Sequence, residues 1–166
     1  MKTLVIKSTN SRTENQKHVY PDLLCEGARN MLIRVMYVSQ AAGAITTTVT
    51  SSILETAKVH NEANGITGVL CQGQDIFIQV LEGERKALNH LLAKIFRDSR
   101  HKEMEIVLLQ EVQERMFPLW AMAHVNISQS EPIIKLNHPE FDPFTATGQQ
   151  LLVILGDLLE QSSPIS

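Results

Sequence analysis

Residues 76–82 restrict the possible folds of this chain most strongly, because they form an apolar, strand-like run that contains one amide. The run is rich in β-branched and aromatic residues and is bracketed by glycines at positions 73 and 83, which favours a buried strand between two turns. Side chains alternate across a strand, so Gln79 shares a face with Phe77 and Leu81. A buried amide without hydrogen-bond partners costs about 1–3 kcal/mol, so Gln79 needs a polar neighbour.

A second strand-like run, residues 32–38, offers such a neighbour. In this run Tyr37 shares a face with Ile33 and Val35. A phenol that meets an amide inside a core forms either a structural hydrogen bond or part of a binding site. Each residue taken alone favours the structural role, because buried polar groups are ordinarily hydrogen-bonded.

The remaining hydrophobic patterns predict an α+β fold. Turn residues and periodicity give the element order βαββαββ, which predicts a mixed sheet with two helices on one face. The Asn64-Gly65 pair ends the first helix, and residues 72–75 suit a hairpin. The predicted strands cover residues 32–38, 67–71, 76–81, 105–109 and 120–126, and the predicted helices cover 49–61 and 85–97.

Composition excludes several classes of protein. A length of 166 residues suggests one domain with appended segments, and a net charge of −3 argues against a basic nucleic-acid surface. No apolar run reaches the ~18 residues of a membrane span. Cys25 and Cys71 lack metal-ligand spacing, so we expect no metal site and a reducing, cytoplasmic location.

Five short motifs follow one another in a fixed order and favour a binding site. They are YVSQ from residue 37, HNEANGITG from 60, FIQVLEG from 77, DSRH from 98 and RMFPLWAM from 115. Together they closely resemble the BLUF family, the domains that sense blue light using FAD. The resemblance extends from Met31 to Ile127 and is specific as a set, although each piece alone is weak.

The resemblance implies a ferredoxin-like fold with the flavin ring between two helices, against the sheet. It places Tyr37 and Gln79 beside the ring as the photoactive pair, with the amide bridging the phenol to the N5 and C4 carbonyl edge. Asn61 matches the position whose amide binds the C4 carbonyl and N3 edge. The spacing of Asn61 alone favours a different role, the C-cap of the first helix.

The resemblance also assigns further residues to the cofactor and to signal relay. His60, Arg100, His101 and Ser39 fall at positions near the flavin, although an exposed arginine at a helix end is a plain alternative for Arg100. Trp120 and Met122 match the relay positions. Because they are two apart on a predicted strand, we expect them to share a face, and both suit a core role equally well.

The chain divides into three predicted segments. Residues 1–30 form a polar extension, 31–127 the flavin-binding domain, and 128–166 a link followed by an amphipathic helix that starts at Asp142-Pro143. The leucine stripe of this helix needs a surface, either the open face of its own sheet or a second subunit, and we expect a homo-oligomer. We expect this helix to carry the signal to a partner, because no other long segment of the chain is suited to that role.

The sequence therefore predicts a blue-light photoreceptor that binds FAD and signals to a partner protein. The alternative is a ferredoxin-like binding module without photochemistry. We find no nucleophile, base and acid set that indicates an enzyme. We expect no direct contact with nucleic acid or membrane.

Overall fold

The computed structural model describes residues 31–73, 75–127 and 141–161, so the predicted extension 1–30 lies outside the described residues. One mixed sheet has the strand order β4-β1-β3-β2-β5, in which β2 and β5 run parallel. This confirms the predicted ferredoxin-like α+β class. The elements are β1 (Leu32–Ala41), α1 (Thr47–Ala63), β2 (Thr67–Gln72), β3 (Ile76–Glu84), α2 (Arg85–Ile95), β4 (His101–Glu111), β5 (Ala123–Asn126) and α3 (Gly148–Gln161).

The centre of the sheet is β3, which pairs antiparallel with β1 on one side and β2 on the other. The register sets Gln79 directly opposite Tyr37 in β1 and Leu70 in β2. Because alternate side chains share a face, these residues join one core beneath α1 and α2. The buried members of that core, which we call the helix-side core, are Ile33, Val35, Tyr37, Ile66, Leu70, Phe77, Leu81, Leu88, Leu92 and Met122.

The ends of α1 test one of the two roles considered for Asn61, that of helix C-cap. The Thr46 side chain accepts a hydrogen bond from the Val49 amide at 3.2 Å and so caps the helix start. The C-cap is Asn64, one turn beyond the predicted end, and Gly65 follows with a φ of 60°. A left-handed residue at this position suits glycine. The C-cap interpretation of Asn61 is therefore wrong.

The opposite face of the sheet is covered by α3, so this helix packs on its own sheet. Its apolar side chains belong to a second core, on the face opposite the helix-side core, which also contains Met36, Val38 and Val80 from the sheet. No described helix combines the length and apolar character needed to cross a bilayer. The buried side chains of α3 are Leu151, Leu152, Ile154, Leu155 and Leu158.

The predicted start of α3 at Asp142 is wrong. The helix begins at Gly148, because Thr147 and Gln150 form a capping box. The Gln150 amide donates to Thr147 Oγ1 at 3.3 Å, and the Thr147 amide donates to Gln150 Oε1 at 2.8 Å. Asp142 caps a separate turn, where its Oδ1 accepts from the Phe144 amide at 3.0 Å. The predicted link lies mostly in residues 128–140, outside the described residues.

Candidate functional site

A cavity of about 230 Å³ lies between α1, α2 and the sheet, where the resemblance places a flavin. Most of its wall is apolar, and its polar side chains come from both helices, three strands and the loop before β4. Seven of the nine predicted site residues contribute to it or touch it. The lining residues are Tyr37, Ile53, Thr56, Ala57, His60, Asn61, Leu70, Phe77, Gln79, Leu91, Lys94, Ile95, Asp98, Arg100, His101 and Met122.

Tyr37 and Gln79 meet in the wall of the cavity, as their facing register requires. The Tyr37 hydroxyl donates to Gln79 Oε1 at 2.5 Å, and Gln79 Nε2 donates to Met122 Sδ at 3.4 Å. Both ends of the amide are thus engaged, the sulfur end more weakly. Burial, and to a lesser extent the negative charge of Asp98, raises the pKa of the Tyr37 phenol well above its usual value. The phenol therefore keeps its proton at neutral pH.

Asn61 presents a buried acceptor to the cavity. Its side chain is 1% exposed, and its Nδ2 donates to the carbonyl of Ala121 at 2.8 Å. Its Oδ1 has no hydrogen-bond partner among the described residues. An unsatisfied buried oxygen is costly, so this atom is suited to a donor on a bound molecule.

His101 and Ser39 form a second polar contact beside Tyr37. Ser39 Oγ lies 2.8 Å from His101 Nδ1, and the imidazole lies edge-on to the Tyr37 ring at a centroid distance of 5.9 Å. Burial is the main cause that lowers the pKa of His101. The neutral imidazole is therefore favoured beside the Tyr37 phenol.

The mouth of the cavity is charged. Arg100 Nε donates to both carboxylate oxygens of Asp98, at 2.9 and 3.0 Å, and this contact is the main cause that lowers the pKa of Asp98. The pair is partly exposed, so it adds little stability. His60 also lines the cavity, and desolvation first and the positive charge of Lys94 second lower its pKa. Lys94 and Arg100 both line the cavity, and since Asp98 already pairs with Arg100, Lys94 is the cation best suited to an anionic tail on a ligand.

The expectation that Trp120 and Met122 share a strand face is wrong. Strand β5 begins only at Ala123, and both residues lie in the loop that precedes it. Met122 is 2% exposed and belongs to the helix-side core, whereas Trp120 packs against the second core and stacks on Phe117. The loop contains Pro118 and is fixed by its own polar contacts, so strand alternation does not apply to it.

Several contributors to the site were missed in the sequence. Lys94 lies three residues after Leu91 on the apolar stripe of α2, a spacing that places both on one side of the helix. This spacing is a sequence signal by which Lys94 could have been predicted as a site residue. The Ala121 carbonyl carries no sequence signal, because any residue has one.

The arrangement fits a planar, aromatic ring with hydrogen-bonding edges. Apolar side chains enclose the slot, while Asn61 and Gln79 bring amides to it. The described residues contain no cluster of three or more side chains suited to a metal ion. Flavin rings have both donors and acceptors along one edge, so the donor set and the unpartnered Asn61 oxygen fit the ring of FAD.

Comparisons with known proteins agree with this geometry. The family profile described as BLUF, sensors of blue-light using FAD, matches residues 32–123. The photoactivated adenylate cyclase subunit alpha of Euglena gracilis is 35% identical over 101 residues, which make up 61% of this chain and 10% of that protein. The chain thus spans about a tenth of the length of the curated relatives it matches.

Solved structures give the same result. The photo-activated state of BlsA superposes with a TM-score of 0.71 at 32% identity, covering 78% of this chain and 95% of that one. The dark state of BlrB, a BLUF protein, gives a TM-score of 0.67 at 26% identity over 79% of this chain and 96% of that one. The chain therefore belongs to the BLUF family, the blue-light sensors that use FAD.

Proposed function

We propose that Tyr37 and Gln79 are the light-driven switch of this sensor and that Asn61 holds the flavin ring. One observation carries the proposal. The phenol and the amide share a 2.5 Å hydrogen bond in the wall of a cavity that also contains the unpartnered Asn61 oxygen. His60, Ser39, Arg100 and His101 complete the cofactor site in this proposal.

FAD, when bound, absorbs blue light and becomes a strong oxidant in its excited state. Tyr37 would supply an electron to the excited ring, because phenols are oxidised readily, and its hydroxyl proton would leave through Gln79 Oε1 at the other end of the hydrogen bond. Return of the electron and the proton to Tyr37 would restore the phenol and the oxidised ring. The high pKa of the phenol keeps that proton on Tyr37 in the dark. Both groups are buried, so water does not compete for the proton.

Gln79 then changes its hydrogen bonds without any net covalent change in the chain. An amide has a donor end and an acceptor end, so turning it exchanges the two. The contact from Nε2 to the Met122 sulfur is lost in that exchange, while Tyr37 meets a donor. Once the electron and the proton have returned to Tyr37, the net change is confined to hydrogen bonds, so it is reversible in darkness.

We further propose that the output is a change in contact with a partner protein and that this chain has no catalytic role. The Euglena gracilis relative named above is a subunit of a photoactivated adenylate cyclase, whose name pairs a light response with an enzyme. In this chain Met122 leads directly into β5, and the loop before it packs against α3 through Phe117. A movement of Met122 is therefore well placed to alter the surface formed by α3.

The test is absorption of the full chain loaded with FAD, before, during and after blue illumination. The wild type should shift reversibly to longer wavelength. Tyr37→Phe and Gln79→Leu should keep FAD but lose the shift, since each removes one polar group from the switch and leaves no large cavity. A variant with a full shift would refute its assigned role. Failure of the wild type to bind FAD would favour the binding-module alternative.

A further inference from the structure

The loop formed by residues 112–122, here the Met122 loop, supplies two groups to the switch. The Ala121 carbonyl accepts from Asn61 Nδ2 at 2.8 Å, and the Met122 sulfur accepts from Gln79 Nε2 at 3.4 Å. The loop lies outside the helices and strands, although it meets the sheet at its end, where the Gly68 amide of β2 donates to the Trp120 carbonyl at 3.0 Å and β5 begins at Ala123. Other contacts must hold the loop in place.

Glu82 provides the first anchor. It lies on β3 three residues after Gln79 but on the opposite face, and its side chain is fully buried. Its carboxylate accepts from the Met116 amide at 3.0 Å and from the Phe117 amide at 2.9 Å, while Arg34 Nε balances its charge at 2.6 Å. Hydrogen bonds to a buried, paired carboxylate are among the stronger ones.

Arg115 provides the second anchor. One terminal nitrogen donates to Thr67 Oγ1 at 2.8 Å and to the Glu82 carbonyl at 2.6 Å, and the other donates to the Gly65 carbonyl at 2.6 Å. The guanidinium therefore joins the loop to the turn after α1 and to the adjoining ends of β2 and β3.

The hydrogen bonds of the two anchors are much stronger than the contact that they support, the one from Gln79 Nε2 to the Met122 sulfur. An N–H to thioether contact is weak, because a thioether sulfur is a poor acceptor. The position of Met122 beside Gln79 therefore depends on where the loop is held more than on the contact itself. Rotation of the Gln79 amide in a packed site also requires its neighbours to give way.

We propose that Arg115 and Glu82 are positioning residues of the light switch, which hold the Met122 loop against β3 and thereby slow the rotation of the Gln79 amide. This rests on the proposed function of Tyr37 and Gln79. Releasing either anchor lets Met122 yield when the amide turns. The lit form should then return to the dark form faster, while the light-induced shift itself keeps its size.

The first test compares dark recovery in FAD-loaded full chains. Arg115→Met should recover at least about fivefold faster than the wild type, because it keeps side-chain length but removes the three hydrogen bonds. Arg115→Lys should recover at a rate between those of Arg115→Met and the wild type. Arg85→Met, the same change at an exposed arginine on α2, is the matched control and should recover as the wild type does. Arg115→Met recovery within twofold of the wild type would overturn the proposal.

The second test needs no light. Hydrogen exchange of the Met116 and Phe117 amides in darkness should be at least about tenfold faster in Arg115→Met and in Glu82→Gln than in Arg85→Met, because opening of the loop exposes them. Unchanged exchange in Arg115→Met would count against the proposal even if Glu82→Gln does not fold. A wild type without a light response would refute the proposed function, whereas the exchange result would still report whether the anchors hold the loop.

Discussion

At the scale of single residues, two asparagines three positions apart have different tasks. Asn61 is buried with one free acceptor among the described residues, whereas Asn64 is exposed at the helix end and donates to the His60 carbonyl at 2.7 Å. Both are the same residue type near the end of one helix, so helix-end statistics alone cannot separate them. The separation comes from burial, which depends on how the Met122 loop packs over α1.

This difference gives a matched pair of variants. Asn61→Ala should weaken FAD binding by roughly fivefold or more, since a buried hydrogen bond is worth about 1 kcal/mol or more. Asn64→Ala should leave FAD binding unchanged and lower the free energy of unfolding by no more than about 1 kcal/mol. FAD titration and chemical denaturation of both variants distinguish the two. Equal FAD affinity in the two variants would contradict the assignment of Asn61 to the flavin.

At the scale of elements, sequence patterns predicted the helices and the first four strands because alternation and helical spacing are local properties. They placed the starts of β5 and α3 too early, for physical reasons. The Met122 loop is held by contacts to Glu82 and by contacts from its own Arg115 to the Glu82 carbonyl, and these partners are distant in sequence and have no periodic signature. Asp142-Pro143 has the composition of a helix start, but a second capping pair at Thr147 and Gln150 lies closer to the apolar stripe. In the candidate site, the pairing register of β1 and β3 alone places Tyr37 opposite Gln79.

The two glycines of α3 differ in what surrounds them. A Cβ at Gly148 would lie 2.5 Å from the Val107 carbonyl oxygen and 2.7 Å from Leu108 Cβ, whereas a Cβ at Gly156 would have Met116 Cε as its nearest neighbour, at 3.8 Å. Gly148→Ala should therefore cost about 1–3 kcal/mol by pushing α3 from β4. Gly156→Ala should stabilise the protein by up to about 1 kcal/mol through helix propensity.

Thermal and chemical unfolding of the two single variants measure these effects. The wild type and the two variants should share the same fold by circular dichroism. If Gly148→Ala were as stable as Gly156→Ala, the close approach of α3 to β4 would not exist in solution.

At the scale of the whole molecule, one sheet separates two cores with different tasks. The helix-side core contains the cavity, Tyr37 and Gln79, while α3 seals the other face with five buried apolar side chains. β3 reaches both, since Gln79 faces one core and Glu82 the other. A conformational change at the cavity can therefore reach the surface formed by α3 through β3 alone.

The protein as a whole should lose stability as pH falls from 7 to 5. Desolvation lowers the pKa of His60, His101 and His124 below the value of about 6.5 in an unfolded chain. Their contribution is complete above that value and is lost as pH falls through the lower folded pKa values. The lowered pKa of Asp98 matters only below about pH 4.

Chemical denaturation at several pH values measures this loss. His124→Gln should flatten the dependence, because an amide keeps a donor for Gln72 Oε1, which lies 3.2 Å from His124 Nε2, and does not titrate. Stability that stays constant or rises between pH 7 and 5 would contradict the burial of these imidazoles.

The central claim is that the Gln79 amide changes its hydrogen bonds when the sensor absorbs blue light. The most direct measurement is the light-minus-dark infrared difference spectrum of the FAD-loaded chain, compared with that of Gln79→Leu. Hydrogen bonding lowers the stretching frequency of a carbonyl, so the wild type should show a reversible shift of a flavin carbonyl band that Gln79→Leu lacks. An identical carbonyl shift in Gln79→Leu, or none in a wild type whose absorption does respond to light, would contradict the account.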